Sequence, residues 1–183
     1  YDINLLNQER QRISDRLRNS GYYYFQPGYV EYLVDTTNDN KIADVRVNLK
    51  EGVPERALQP YTIGDVKVLL SGNRGTGERD SVMEDGVNIV YEKPQPLKPN
   101  VITRAVKVRP GQTYSARRQS RTQADFVRLG VFRFANLDVM LPDTFKNVLN
   151  MQVNGDFSLP IDTEVEVDFS SKSNNLLGPG ISL

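Results

Sequence analysis

The chain has 183 residues, enough to bury a core without a metal or disulfide staple, and its 38% hydrophobic and 25% charged content is that of an ordinary folded protein. It has no Cys and no His, which excludes disulfides, the usual zinc sites, Ser-His and Cys-His nucleophile pairs and the commonest general base. Lys plus Arg and Asp plus Glu both number 23, so overall charge offers no attraction to nucleic acid, although residues 98–134 alone carry a net +8.

No run is long and apolar enough for a membrane-spanning helix, and residues 1–25 lack the basic-then-apolar order of a signal peptide. Because Tyr1 is not a start Met and GPGISL closes no element, the chain reads as a piece of a longer protein.

In residues 3–20, Leu6, Ile13 and Leu17 recur at helical spacing among polar residues, and Gly21 stands where a helix-ending glycine belongs. Residues 29–35 (YVEYLVD) and 42–49 (IADVRVNL) flank a polar turn. In the second run Ala43, Val45, Val47 and Leu49 alternate with polar residues, which predicts a β-hairpin with one buried face. Gly52, Pro54 and Pro60 mark residues 50–60 as a connector.

YTIGDVKVLL then reads as a strand, residues 71–86 as a long exposed loop, and 87–91 (VNIVY) as a short strand. After a Pro-punctuated linker, residues 100–108 predict a short helix that stops before Arg109, Pro110 and Gly111. Residues 113–129 predict a second helix, with Thr113 or Ser115 as N-cap, an inner face of Thr122, Phe126 and Leu129, and Gly130 as its stop. VFRFANLDVML and VLNMQVNGDFSL follow as a second hairpin joined by DTFKN.

The two halves echo each other. LRNSGYYYF at 17–25 and VRLGVFRF at 127–134 share a helix end, a glycine and aromatics, each leading into a hairpin, with Gly21 and Gly130 standing 109 residues apart. One copy has the order strand, helix, helix, strand, strand over 57–159, and the other begins at its second helix. A lone helix–glycine–hairpin occurs in many α/β units; a second copy in matching order points to a repeated module.

The segments ERQRISDRLRNSGYYYF with YVEYLVDTT, PYTIGDVKV, and VKVRPGQTYSARRQSRTQADFVRLGVFRFANLDVML resemble the polypeptide-transport-associated (POTRA) modules of the outer-membrane protein assembly superfamily. That superfamily of surface-antigen type includes barrel-assembly and translocation-assembly proteins, and the variant is one seen among Bacteroidetes-like bacteria. The resemblance implies an α+β fold of tandem modules, each a small mixed sheet packed against two helices (β-α-α-β-β). It divides the chain into a partial module at 1–53, a complete one at 57–159 with a long loop at 71–86, and a junction to a missing barrel at 160–183. Val165, Val167 and Phe169 alternate with Glu164, Glu166 and Asp168 there, as in a barrel strand or a half-buried edge strand of a soluble sheet.

GNRGTGERDS lacks the Gly-Lys-Ser/Thr ending of a phosphate loop, and DTTNDNK at 35–41 lacks the Gly and terminal Glu of a calcium loop. Asp80, Glu84 and Asp85 lie in a polar stretch with no fixed pair for acid-base work. No cofactor, metal, nucleic acid or small-molecule substrate is expected, and no enzymatic activity; a periplasmic enzyme is the remotest class.

The expected location is the periplasmic face of a Gram-negative outer membrane. Expected partners are unfolded outer-membrane clients or periplasmic assembly proteins, held by backbone pairing at sheet edges. The edge candidates are Tyr29, Val30, Tyr32 and Val34 in the first hairpin and Phe132 and Phe134 in the second; Gly21, Gly111 and Gly130 are structural. Arg104, Lys107, Arg117, Arg118, Arg121 and Arg128 form a basic helix face. It is either a solvated surface or, in a rival scaffold reading, a dock for assembly lipoproteins or the membrane surface.

Overall fold

A computed structural model of the chain describes residues 2–35, 44–72, 77–94, 97–141 and 147–157, together with the backbone of strands at 167–171 and 177–181. Helix α1 (Ile3–Asn19) starts where the Asp2 carboxylate accepts from the Asn4 amide at 2.8 Å, and Arg16 and Arg18 sit in its last turn, where cations suit the helix dipole. It ends as the sequence predicts. Gly21 takes φ +108°, which lets the Tyr22 amide reach back to the Leu17 carbonyl at 3.1 Å. Strands β1 (Val30–Asp35) and β2 (Asp44–Leu49) then pair antiparallel as a two-stranded sheet, from Val30 opposite Leu49 to Asp35 opposite Asp44. The hairpin is as expected but its buried face is not: Val30 is 1% exposed, whereas Val34, Val47 and Leu49 are about half exposed, because among the described residues this pair is not part of the five-stranded sheet over the core.

The remainder is built on a five-stranded sheet: β3 (Thr62–Ser71), β4 (Arg79–Glu84), β5 (Val87–Glu92), β6 (Phe132–Met140) and β7 (Val148–Phe157), in the order β4-β5-β3-β7-β6. Central β3 runs parallel to both neighbours, β5 and β7, while the outer strands β4 and β6 run antiparallel to theirs. Helices α2 (Pro99–Ala105) and α3 (Ala116–Val127) supply the second layer. The alternation of β7 is realised in full: Leu149, Met151 and Val153 are at most 1% exposed, and Asn150, Gln152 and Asn154 face away. Burying side chains of this size contributes about 1.5–3 kcal/mol each. Val68, Val87, Ile89, Ile102, Tyr114 and Phe126 are completely covered and complete the core.

Further expectations need correction. The loop at 71–86 holds strand β4, because an edge strand needs only one partly covered row and so tolerates the polar residues of RDSVME. The element order over residues 62–157 is therefore β-β-β-α-α-β-β, with β4 and β5 standing between the first strand and the first helix. Helix α2 stops at Ala105, not 108; Val106 and Val108 follow in extended chain, each 1% exposed, and the Arg109 guanidinium donates to the carbonyls of Thr103, Val106 and Val108. Helix α3 begins at Ala116 with Ser115, one of the two expected residues, at its N-cap position, although the Ser115 side chain makes no capping hydrogen bond.

The inner face of α3 is as expected, with Thr122 and Phe126 fully covered and Leu129 packed against the core. Strands β8 (Val167–Ser171) and β9 (Leu177–Ile181) pair antiparallel. The DTTNDNK and DTFKN turns and the alternation at 164–166 lie outside the described residues, apart from Asp35 and Asn147.

Candidate functional site

The chain has no His or Cys, so any site here is built from its other side chains, its backbone edges and its grooves. Among the described residues, no three Asp or Glu side chains gather to hold a metal, and no helix is long and apolar enough to cross a membrane. An open cleft of about 490 Å³ lies between α1 and α3, lined by Arg12, Asp15, Arg16, Asn19, Ser20, Ser115 and Arg117. Asp15 there accepts from the Gln11 amide at 2.8 Å, and the lining holds no nucleophile–base pair.

The two edges of the five-stranded sheet differ in chemistry. β4 carries Arg79, Asp80 and Glu84 in six residues, and Lys93 lies 3.6 Å from Glu78 and 3.8 Å from Asp80 beside it. β6, at the opposite edge, is mostly apolar, with Phe134 58% and Met140 45% exposed. On its outer face Asn136 and Asp138 join Asn154 of β7 in a network: the Asn154 amide donates to Asn136 at 3.0 Å and to Asp138 at 2.8 Å. That network stiffens the β6–β7 pair from the side away from the helices.

The six edge candidates fall into two groups. Val30 is 1% exposed, Tyr29 packs edge-on against Phe25 at 5.7 Å, and Tyr32 donates its hydroxyl to the Leu6 carbonyl at 3.0 Å beneath the Arg10 guanidinium. Phe132 stacks on Phe126 at 4.6 Å. These four side chains serve packing, so what their strands can offer a partner is backbone. Val34 and Phe134 project outward, 50% and 58% exposed.

The basic face is partly spent on the protein itself. Lys107 and Arg128 both pair with Asp125 at 3.2 Å, and the Lys107 hydrogen bond holds that carboxyl below its ordinary range. Arg118 donates to the Thr113 carbonyl, and Lys107 also donates to the Arg104 carbonyl. Arg104, Arg117 and Arg121 remain exposed. Sequence reasoning missed Arg12 and Arg16, which α1 contributes beside Arg117; their i, i+4 spacing was the available signal.

Gly21, Gly111 and Gly130 all adopt positive φ, at 108°, 78° and 69°. Gly21 and Gly130 each follow a helix and lead into an antiparallel hairpin, α1 into β1–β2 and α3 into β6–β7.

No protein-family model and no curated protein sequence matches the chain. Among solved structures it is similar to BamA from Haemophilus ducreyi lacking POTRA domains 1–3, at 11% identity and a TM-score of 0.54, over 86% of this chain and 24% of that one. The chain has a POTRA-type fold. Further similarities are to POTRA1–3 of the periplasmic domain of Omp85 from Anabaena (16% identity, TM-score 0.42, 87% of this chain and 52% of that one) and to Haemophilus influenzae BamA POTRA3–5 (13%, 0.32, 81% and 79%). The chain thus spans about a quarter of the Haemophilus ducreyi BamA structure. The α+β POTRA-type architecture agrees with the sequence reading, with the β4–β5 hairpin as an addition to the β-α-α-β-β plan.

Proposed function

We propose that the chain consists of periplasmic, non-enzymatic protein-binding modules of an outer-membrane protein assembly or translocation factor, and that it holds extended client or partner chains by β-strand augmentation. The observation that supports this best is the contrast between the two sheet edges. β4 is charged, as edges that avoid pairing are, whereas β6 leaves Phe134 and Met140 exposed along an edge that, among the described residues, pairs with no second strand. A strand added to β6 pairs through backbone groups, so it can vary in sequence, and alternate side chains meet the sheet and α3. β1, which pairs only with β2 among the described residues, offers a second such edge.

The test is amide hydrogen exchange in the presence of a peptide copied from a strand of an outer-membrane barrel. Slowed exchange along β6 with β4 unchanged is the expected result; no slowing in β6, or equal slowing in β4, overturns the reading. Proline at Tyr32 or Val34 in a folded protein is expected to remove any contribution of β1. Unchanged binding there would take β1 out of the site.

The scaffold reading keeps one observation in its favour, the exposed Arg104, Arg117 and Arg121. Charge reversal at Arg117 and Arg121 separates the two readings, because docking to an acidic lipoprotein or membrane surface weakens while edge pairing persists. Arg118 is a poorer probe, since its guanidinium also holds the Thr113 carbonyl.

A further inference from the structure

We infer that Asn19 is a positioning residue that fixes α1 and its hairpin to the five-stranded unit, by capping a helix that begins almost a hundred residues further along the chain. Ser115 has the extended backbone of an N-cap, φ −149° and ψ 120°, yet its side chain makes no bond to the amides of α3. Its hydroxyl instead donates to the Asn19 side-chain oxygen at 3.0 Å, and the same oxygen accepts the backbone N–H of Arg117 at 2.8 Å. Arg117 is the second residue of α3, and its amide is one that an N-cap side chain normally satisfies. Asn19, the last residue of α1, performs that role across 98 residues of sequence.

The chain beside Asn19 is shaped to bring it there. A Cβ on Gly21 would lie 2.9 Å from the Thr113 methyl and 3.0 Å from the Pro60 Cβ, so only glycine allows this approach. The Gly21 carbonyl accepts the Tyr61 amide at 2.9 Å. Tyr23 meets Tyr114 edge-on at 5.0 Å, and Tyr24 meets Tyr61 at 5.5 Å. Ring contacts permit sliding, whereas one oxygen shared between two donors needs the end of α1 at one place and angle. The consequence is mechanical: β1 and β6 are carried on one body.

The native chain has no cysteine, so spin labels can be placed by substitution. Leu5→Cys on α1 and Met83→Cys on β4, at positions 66% and 64% exposed, report the joint; Met83→Cys with Met140→Cys, on opposite edges of one sheet, reports the fold alone. Pulsed dipolar spectroscopy is expected to give one narrow Leu5–Met83 distance peak in the native background. Asn19→Asp, which keeps an acceptor oxygen, retains that peak; Asn19→Ala loses it while the Met83–Met140 peak stays narrow. The inference is overturned if the native joint peak is broad, if Asn19→Ala leaves it narrow, if Asn19→Asp loses it, or if Asn19→Ala broadens both pairs.

Discussion

Gly155 lies on β7 under the stacked rings of Phe126 and Phe132. A Cβ there would sit 2.9 Å from one ring and 2.8 Å from the other, so both must shift to admit even one methyl group. Gly155→Ala is expected to destabilise the protein by about 1–3 kcal/mol, seen as a lower urea midpoint with an unchanged slope. An unaltered midpoint would show that the stack gives way freely. The glycine in VNGDF was visible in the sequence, but its reason was not, since the rings above it arrive from α3 and β6. Phe132 shows the same limit: it belongs to a strand that was legible, yet whether its ring packs inward or faces a partner depends on Phe126.

At the scale of elements, regular spacing made α1, α3, β1, β2, β6 and β7 readable, because each has one apolar row at period 3.6 or 2. β4 had no such row, as Val82 alone among its inward residues is apolar. The correction is consequential, because β4 and β5 extend the core and move the outer edge away from β3. Ile89 on β5 is fully covered, so Ile89→Ala is expected to cost about 2–5 kcal/mol of global stability in urea unfolding. Were the hairpin a peripheral flap, the substitution would leave the main transition in place. The end of α2 was misjudged for a related reason: in VITRAVKV the buried Val106 and Val108 fit a helix tail as well as an extended chain, and the Arg109 contacts decide between them.

For the molecule as a whole, the absence of His and Cys leaves no such side chain to titrate around neutrality. The Asp125 carboxyl is held low chiefly by its hydrogen bond from Lys107, so its contribution is present above the unfolded value near 3.8 and is lost as pH falls through the lower folded value. Burial raises the Tyr23, Tyr61 and Tyr114 hydroxyls, so their contribution is full below the unfolded value of 10.0 and is lost as pH rises through the higher folded values. Urea midpoints are therefore expected to be level between about pH 5 and pH 9 and to fall on both sides. Tyr114→Phe should make the alkaline fall shallower. A step near neutrality would contradict this account.

By itself the sequence determined the chemistry that is missing, the repeated helix–glycine–hairpin, and the strands and helices with a covered row, since these depend on residues close together in the chain. Only the tertiary structure decided which strands lie at the edges, which arginines are spent on carbonyls or carboxylates, and that Asn19 caps α3. The physical reason is separation along the chain: strand neighbours and shared hydrogen bonds join residues up to 98 positions apart, and no local spacing records such pairings.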